Sequence, residues 1–370
     1  MARRIILYGA SGYMGRLVAV ALAEAKVRPV LAGRNLQSLH ALGYQLGHGL
    51  DTVAVDLSDT DALLGLIREG DVVISTVGPY ETVGLPVAEA CIVQRATYLD
   101  CCGEPAFLRT MFHGLAPFAA NREVTLIPGF GFEYVAGTVA AATVLEAMGS
   151  RADRVDIGYF VSGKVRTLLS SGTRAAAGAA ALSPHFVWRD RQLIACPAGD
   201  RVADFAVNGH TLPGLSIGGA EHLTIPRMRP WIREVGVYVG GPKSDLGAHV
   251  AGAVVGGAAK VPGVSRLVRW TAALPHVKDG PDEETKARAA STVIATAFDI
   301  EGRTLASVRL SGGDPFTFTQ RMLAWAAMHL ASGTGQPSTG VLGPVEAFGL
   351  QTLTHACAAV GLQVVEEAAL

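Results

Sequence analysis

Three glycines near the start of the chain, Gly9, Gly12 and Gly15, lie three residues apart between an apolar run and a helix-like segment. A strand that turns through glycine into a helix N-terminus presents unpaired backbone N–H groups at the positive end of the helix dipole, which is a site for an anion. We expect Gly9 to permit the tight turn, Gly12 to admit a diphosphate, and Gly15 to let the helix pack on the strand.

The residues between these glycines belong to the same loop. The spacing is G-x-x-G-x-x-G, at the first strand-helix junction of a β-α-β pattern, and this is the context that a dinucleotide site requires. We therefore expect Ser11, Tyr13 and Met14 to bind the dinucleotide together with the glycines. The alternative is a glycine-rich turn that binds no ligand.

The end of the second predicted strand indicates which dinucleotide is bound. NAD sites place a carboxylate there for the ribose 2′-hydroxyl, whereas this chain has Arg34 and Asn35 in "LAGRN". A guanidinium pairs with a 2′-phosphate, which an acid would repel. NADP is thus favoured over NAD as the cofactor. The alternative is that Arg34 simply ends the strand at the surface.

Two later loops at the same edge of the sheet complete the expected cofactor site. Asp56 follows the third strand, where it accepts from the adenine amino group or caps the helix that starts near Ser58. Val77, Gly78 and Pro79 follow the fourth strand and are expected near the ribose or nicotinamide.

Hydride transfer belongs to the cofactor, so the protein must supply orientation and usually a proton donor. The candidates are Tyr80, Glu104, Arg174 and His222. Tyr80 is alternatively a packing aromatic, Glu104 a helix cap, and His222 a structural residue. Arg174 is suited to a substrate carboxylate.

Other reactive residue types give weaker signals. Glu133 and Tyr134, just beyond the sixth strand, are further polar candidates, whereas the adjacent Cys101 and Cys102 have no base beside them. No metal-spaced cluster or tyrosine-xxx-lysine pair is present, so we expect no metal site and no short-chain dehydrogenase mechanism.

The elements that position these residues form two domains. In the first 130 residues, short apolar strands alternate with helices, which predicts a doubly wound parallel sheet of the Rossmann type. Later segments such as "TLASVRL" alternate with period two and predict an α+β domain on a mixed sheet. We assign 1–130 to the dinucleotide-binding domain, 131–339 to a substrate and dimerisation domain, and 340–370 to completion of the first domain.

Composition narrows the class of protein. The chain has 370 residues, 49% hydrophobic and 17% charged, with a net charge of −1, which does not resemble the basic footprint of a nucleic-acid binder. The uncharged run at 246–259 is shorter than the roughly 20 residues that span a membrane. Five cysteines without a CxxC pair, and no recognisable secretory leader, predict a cytoplasmic protein without an integral membrane span.

Several motifs together resemble a known family. The stretches "GASGYMGRLVAVAL", "LAGRN", "VVISTVGPYETVGLPVAEAC", "TYLDCCGEPAF" and "PGFGFEYVAG" occur in an order and spacing similar to the saccharopine dehydrogenase-like NAD(P)-binding proteins. The similar branch includes the trans-acting enoyl reductases and the saccharopine dehydrogenase-like oxidoreductases. The resemblance implies a Rossmann domain followed by an α/β domain, a frequent homodimer, and NAD(P)-linked chemistry.

These observations predict an NADP-dependent oxidoreductase that acts on a small and fairly apolar substrate. Two alternatives remain open from the residues. One is a dinucleotide-binding sensor or scaffold with little catalysis, since no proton donor stands out. The other is a saccharopine-type reductase that forms or breaks a C–N bond.

Overall fold

A computed structural model of the chain describes residues 3–47, 49–162, 185–207, 209–240, 280–333 and 337–369. The chain divides into two compact units, each assembled from separate stretches of sequence. Unit 1 comprises Met1–Cys102, Phe107–Gly131 and Phe316–Phe348. Unit 2 comprises Gly103–Ala106, Phe132–Pro315 and Gly349–Leu370.

Unit 1 is built on a seven-stranded sheet in which every neighbouring pair is parallel. Its strands are β1 Ile5–Tyr8, β2 Val30–Gly33, β3 Thr52–Ala54, β4 Val72–Ser75, β5 Thr97–Asp100, β6 Thr125–Ile127 and β15 Gly340–Val341. Their order across the sheet is β15-β6-β5-β4-β1-β2-β3. The predicted doubly wound Rossmann arrangement is confirmed.

Helices separate successive strands of this sheet, as parallel pairing requires. They are α1 Tyr13–Glu24, α2 Leu36–Gln45, α3 Thr60–Leu66, α4 Tyr80–Val83, α5 Leu85–Gln94, α6 Pro105–Arg109, α7 Ala116–Asn121, α11 Pro315–Ser332 and α12 Pro344–Phe348. A π-helical segment, Thr110–Leu115, joins α6 to α7. Strands β1, β2, β4 and β5 are buried at every residue, which explains why each reads as a continuous apolar run.

Unit 2 is built on a nine-stranded mixed sheet, which confirms the predicted α+β architecture. Its strands are β7 Arg154–Ser162, β8 His185–Arg189, β9 Gln192–Cys196, β10 Val202–Val207, β11 His210–Ser216, β12 Glu234–Gly240, β13 Ala290–Phe298, β14 Thr304–Gly312 and β16 Leu362–Ala369. The main order is β10-β11-β12-β7-β13-β14-β16, and β8 pairs with β12 and β9. The β12-β7 pair is parallel and the other pairs are antiparallel.

The central helix of unit 2 is α8, Phe132–Met148, which packs on β7, β13 and β14. It is buried around most of its circumference and therefore shows no amphipathic period in the sequence. The remaining helices of this unit are α9 Glu221–Met228, α10 Glu283–Ala287 and α13 Leu350–Ala359, with a short 3-10 turn at Gly149–Arg151.

The end of the chain divides between the units. Strand β15 pairs with β6 in the first sheet, whereas β16 pairs with β14 in the second. The sequence led us to place all of residues 340–370 with the first domain. The structure differs, because the last strand finds its hydrogen-bond partners on an edge of the mixed sheet. The exact domain boundaries stay a prediction.

The uncharged run at 246–259 lies outside the described residues. Among the residues that the structure does describe, no helix combines the length and apolar character needed to cross a bilayer.

One buried ion pair joins the beginnings of β1 and β4. Asp71 accepts from Arg4 Nε at 3.1 Å and Nη2 at 2.5 Å, and also from the backbone N–H of Arg68 at 2.9 Å. We expect Asp71→Ala to lower the free energy of unfolding by about 2–3 kcal/mol, because a half-buried guanidinium loses its partner. Urea denaturation measures the change. The exposed Glu89→Ala should shift it by less than about 0.5 kcal/mol, and equal effects would contradict the assignment.

Candidate functional site

The loop after β1 requires glycine at Gly9 and Gly15 and leaves little room for a side chain at Gly12. Gly9 has a φ of +83°, a conformation that residues with a side chain rarely adopt. The N–H of Gly12 donates to the Gly9 carbonyl oxygen at 3.0 Å, and a Cβ on Gly12 would lie 3.3 Å from that oxygen. A Cβ on Gly15 would lie 2.8 Å from Ala10 Cα and would also collide with the Gly9 carbonyl oxygen. The helix therefore lies closely against the loop.

This loop leaves backbone donors without acceptors. The first helical hydrogen bond of α1 runs from the Arg16 N–H to the Gly12 carbonyl oxygen. Within the described parts of the chain, the N–H groups of Ser11, Met14 and Gly15 donate to no residue. The first turn of α1 also carries no acidic side chain. Unpaired donors at an uncompensated helix N-terminus suit an anion.

Tyr13 forms one side of this loop. Its ring packs edge-on against Phe316 at the start of α11, with the ring centroids 5.3 Å apart. The backbone at Tyr13 is thereby anchored beside the glycine turn.

Arg34 lies beside the glycine loop at the end of β2. A Cβ on the preceding Gly33 would be 3.9 Å from the Gly9 nitrogen, and Gly9 itself donates to Ala32 at 2.9 Å. Arg34 is exposed and makes no hydrogen bond or ion pair with any residue described. Asn35, by contrast, uses its side chain to cap α2 by accepting from the Ser38 N–H at 3.0 Å.

Asp56, beyond β3, is exposed and forms a local turn. It accepts from the N–H and the hydroxyl of Ser58, at 2.9 and 2.7 Å. These hydrogen bonds, with a smaller contribution from the charge of Arg34, lower the pKa of Asp56. Helix α3 is capped by Asp59, which accepts from Ala62 N–H, so the helix-cap alternative for Asp56 is wrong.

The loop after β4 is tied to the glycine loop by Thr76. Its N–H donates to the Tyr8 carbonyl oxygen at 3.0 Å and its hydroxyl reaches the Gly9 carbonyl oxygen at 3.2 Å. Val77 borders Gly9, since a Cβ built on Gly9 would lie 2.6 Å from Val77 Cγ2. Gly78 is exposed, and Pro79 directly precedes α4. The two predicted parts of the cofactor site are thus adjacent.

Tyr80 is placed as a packing residue. It is buried, its hydroxyl donates to the Ser75 carbonyl oxygen at 3.0 Å, and its ring centroid lies 5.4 Å from that of Phe107. Burial raises the pKa of Tyr80 well above its ordinary value, which disfavours the phenolate form. This geometry matches the packing alternative.

Asp100, at the end of β5, joins two loops of the same edge. Its Oδ1 accepts from the N–H groups of Cys102 at 2.8 Å and Gly129 at 2.7 Å, while its carbonyl oxygen accepts from Phe130 N–H at 2.6 Å. The loops after β5 and β6 are therefore fixed to each other by one buried carboxylate. The only sequence signal was an acid at the end of a buried strand.

His222 is buried in unit 2 with both ring nitrogens engaged. Nδ1 accepts from the Trp188 N–H, and Nε2 donates to the Ile217 carbonyl oxygen, each at 3.2 Å. Burial lowers the pKa of His222 to about 4, so the ring is neutral at neutral pH.

The other two candidates are placed as follows. Glu104 is buried in unit 2, and Arg174 lies outside the described residues.

Glu221, which directly precedes His222, is a buried titratable residue that the sequence did not single out. Its side chain is fully buried, Oε1 accepts from the Tyr159 hydroxyl at 2.5 Å, and Oε2 has no partner among the described residues. Burial raises the pKa of Glu221 to about 8, with a smaller contribution from the charge of Glu133.

Glu133 and Tyr134 lie in the first turn of α8, where Glu133 is exposed and Tyr134 buried.

All five cysteines are free thiols. Over the parts of the chain that the structure describes, no group of three or more His, Cys, Asp or Glu side chains is arranged to hold a metal ion.

The N-terminal residues match a known family model. Residues 5–127 match the model described as saccharopine dehydrogenase NADP binding domain. Residues 5–127, which lie in unit 1, are therefore similar to the NADP-binding domain of saccharopine dehydrogenases. The predicted resemblance is confirmed, and it is confirmed over the residues that form the glycine loop and the ends of β2, β3 and β4.

Curated relatives are similar over the same part of the chain. A trans-acting enoyl reductase of Mycobacterium leprae is 35% identical over 136 residues, which cover 35% of this chain and 32% of that protein. A trans-acting enoyl reductase of Mycobacterium tuberculosis is 33% identical over an equal length, with the same coverage. The chain thus matches about a third of the length of these relatives.

Two solved structures share the fold over nearly their whole length. Saccharopine dehydrogenase (L-Glu forming) from Saccharomyces cerevisiae has a TM-score of 0.64 at 14% identity and covers 100% of both chains. Homospermidine synthase from Legionella pneumophila has a TM-score of 0.67 at 9% identity and covers 100% of this chain and 92% of its own. At such identities the likeness extends to the fold alone.

The raised pKa of Glu221 makes the stability of the protein depend on pH. The folded-state pKa of about 8 exceeds the ordinary value of 4.5, so the native state binds more protons than the unfolded state between those values. Stability should therefore fall as pH rises from 5 to 8, by on the order of 1 kcal/mol per pH unit from this group. Glu221→Gln should remove that dependence.

Urea denaturation at pH 5, 6.5 and 8 tests this expectation. The exposed Glu146→Gln on α8 is the matched control and should retain the wild-type slope. A Glu221→Gln protein whose stability falls with pH as steeply as the wild type would contradict the burial of an ionisable group at this position.

Proposed function

We propose that the protein is an NADP-dependent oxidoreductase in which unit 1 binds the cofactor. The observation that carries the proposal is the position of Arg34, an exposed guanidinium beside a glycine loop with unengaged N–H groups. The match to an NADP-binding domain model over residues 5–127 supports it. Bound NADPH supplies a hydride, and the residues of the chain bind and orient the molecule that carries it.

The residues of unit 1 fit a dinucleotide phosphate. The N–H groups around Ser11, Met14 and Gly15 suit the diphosphate, because the absence of a Cβ at the glycines lets the backbone approach it. Arg34 pairs with the 2′-phosphate. The end of β2 has no carboxylate that would repel this phosphate. Asp56 borders the adenine, and residues 77–79 border the nicotinamide side.

The substrate is proposed from chemistry and from the named relatives. The curated relatives are named trans-acting enoyl reductases, and enoyl reduction adds a hydride to one carbon of a double bond and a proton to the other. A small, fairly apolar enoyl compound is the first substrate class to examine. We further propose a homodimer, as the resemblance implies, and a cytoplasmic location, as the cysteine usage indicates.

A second candidate function is a dinucleotide sensor without catalysis. It is favoured by the engagement of two of the four candidate residues within the protein, Tyr80 with Ser75 and His222 with two backbone groups. NADPH oxidation in the presence of enoyl thioesters, carbonyl compounds or imines separates the two functions. Turnover excludes the sensor, and tight NADPH binding without turnover of any of these classes favours it.

The cofactor assignment predicts a loss of discrimination when Arg34 is removed. Arg34→Ala should weaken NADPH binding by about 10- to 100-fold, since a charge-assisted hydrogen bond to phosphate is lost, and should leave NADH binding unchanged. Nucleotide fluorescence titration measures both dissociation constants.

Arg28→Ala provides the matched control for this measurement. Arg28 is an exposed arginine at the opposite end of β2, where its guanidinium donates to the Gly49 carbonyl oxygen. The Arg28→Ala protein should bind both nucleotides as the wild type does. Equal affinity of the wild type for NADH and NADPH would show that Arg34 does not read a 2′-phosphate.

A further inference from the structure

The hydrogen-bonded pair of Tyr159 and Glu221 lies in a space that two glycines leave open. A Cβ on Gly137, in the middle of α8, would collide with the Tyr159 hydroxyl and lie 2.7 Å from Glu221 Oε1. A Cβ on Gly219 would collide with Glu221 Oε2. Glycine destabilises the interior of a helix relative to alanine. Helix α8 therefore gives up stability of its own to admit a carboxyl group and a hydroxyl group.

One oxygen of this buried carboxyl group has no partner. Oε1 of Glu221 accepts from the Tyr159 hydroxyl, whereas Oε2 makes no hydrogen bond with any described residue. Buried polar atoms without a partner are rare in proteins and call for an explanation. An ionised carboxylate would be costly at a position that solvent does not reach, so Glu221 is protonated at neutral pH. Because Oε1 already serves as an acceptor, the proton is carried by Oε2.

Glu133 lies one turn before Gly137 on the same face of α8. Side chains four residues apart on a helix have Cβ atoms about 5–6 Å apart, so Glu133 starts about one turn from the Tyr159–Glu221 pair. Burial raises the pKa of Tyr159 and that of Glu221, and the charge of Glu133 raises both further. Tyr134 is the other titratable neighbour that acts on Tyr159. Carboxyl groups that interact in this way titrate as a pair, which keeps one proton after an isolated carboxyl group has lost its own.

Glu133 is the member of this pair that solvent reaches. Its side chain is exposed and makes no hydrogen bond or ion pair with any residue described, while desolvation by the surrounding protein raises its pKa. A Cβ on Gly103, in the loop after β5, would lie 2.9 Å from Glu133 Oε2. Glu133 is also only two residues beyond Gly131 in the loop after β6. Loops that follow the carboxyl ends of parallel strands are where doubly wound proteins bind ligands.

We propose that Glu133 and Glu221 together are the proton donor of the reduction, an inference that rests on the proposed function. Glu133 is the catalytic acid that touches the substrate. Glu221, held by Tyr159, is a positioning residue that keeps a proton available to Glu133. Transfer between the two carboxyl groups requires one bridging water.

The reduction of a double bond consumes one hydride and one proton. The substrate gains the hydride, with its two electrons, at one carbon while the π bond breaks, and NADPH is oxidised. The electron pair left at the other carbon takes the proton from the Glu133 carboxyl group. The Glu133 carboxylate is then protonated by Glu221, and water returns a proton to the pair through the exposed Glu133.

Steady-state kinetics between pH 5 and 9 test the assignment. The probes are NADPH with crotonyl-coenzyme A, acetoacetyl-coenzyme A or pyrroline, which represent enoyl, carbonyl and imine acceptors. Glu133→Gln should lower kcat by about 100-fold at every pH, as is typical for the loss of a general acid. The dissociation constant of NADPH should not change, because Glu133 does not belong to the proposed cofactor site.

Glu221→Gln and Tyr159→Phe should move the alkaline limb of the kcat profile in opposite directions. Without Glu221, Glu133 has no neighbouring store of protons, so kcat should fall at a pH about one unit lower than in the wild type. The Tyr159 hydroxyl, against the larger effect of burial, lowers the pKa of Glu221 through its hydrogen bond. Tyr159→Phe should therefore move the limb to a pH about one unit higher. A merely structural role would not produce opposite shifts.

Infrared titration of the unliganded protein measures the same groups without cofactor or substrate. The carbonyl band of a protonated buried carboxyl group should disappear with a midpoint at about pH 8 in the wild type and should be missing in Glu221→Gln. The midpoint should lie higher in Tyr159→Phe. It should lie lower in Glu133→Gln, because removal of a neighbouring negative charge favours ionisation. Glu146→Gln, exposed on α8, is the matched control and should behave as the wild type in both measurements.

Distinct outcomes overturn the inference and the function on which it rests. A wild-type protein that binds NADPH but oxidises it with none of the three acceptors refutes the proposed oxidoreductase and the proton donor together. Turnover by the wild type, with kcat of Glu133→Gln within about threefold of it, refutes Glu133 as the acid and leaves the proposed function in place. Alkaline limbs that do not shift, or that shift in the same direction in Glu221→Gln and Tyr159→Phe, refute the role of Glu221.

Discussion

The close approach of α1 to the loop that precedes it is the constraint on which the rest of unit 1 depends. Gly15 packs against Ala10 and the Gly9 carbonyl oxygen at distances that leave no room for a Cβ. This contact brings the helix N-terminus to the carboxyl end of β1, where the strand has already been placed by pairing with β2 and β4. Backbone donors are thereby concentrated at one point of the sheet edge without any polar side chain being needed to supply them.

The same contact also determines what the neighbouring residues can do. Strand β2 ends beside Gly9, so the residue that follows it, Arg34, lies next to the glycine loop, and the Thr76 hydrogen bonds hold the β4 loop against the same turn. Two arginines thus lie near the loop: Arg16 donates to the Ser11 carbonyl oxygen, and the charge of Arg34 contributes to the lowered pKa of Asp56. The positive end of the helix dipole at this turn suits a ligand that carries phosphate.

Much of this arrangement could be predicted from the sequence, because it depends on local patterns. The alternation of apolar runs and helices indicated the parallel sheet, and the glycine spacing located the turn. Helix α8 was not predicted, because a helix buried on nearly all sides has no polar face to reveal its period. The final strand was hard to place for a related reason, since an edge strand can pair with either sheet and only tertiary contacts decide. For Tyr80 the sequence left a catalytic and a packing role open, and the structure buries it with its hydroxyl committed to the backbone of its own loop.

Glu221 and His222 show why residue type and spacing do not suffice to identify an acid-base pair. The sequence singled out His222 as a candidate acid and left Glu221 unremarked, and adjacent residues on a helix do not face each other. In the structure, burial raises the pKa of Glu221 to about 8 and lowers that of His222 to about 4. Both groups are then largely uncharged at neutral pH, since low polarity disfavours whichever form carries a charge. The histidine is consequently a poor proton donor, whereas the glutamate retains a proton that an exposed carboxyl group would have lost. Of these two neighbours, the carboxyl group rather than the imidazole is therefore the one that carries an acidic proton at neutral pH.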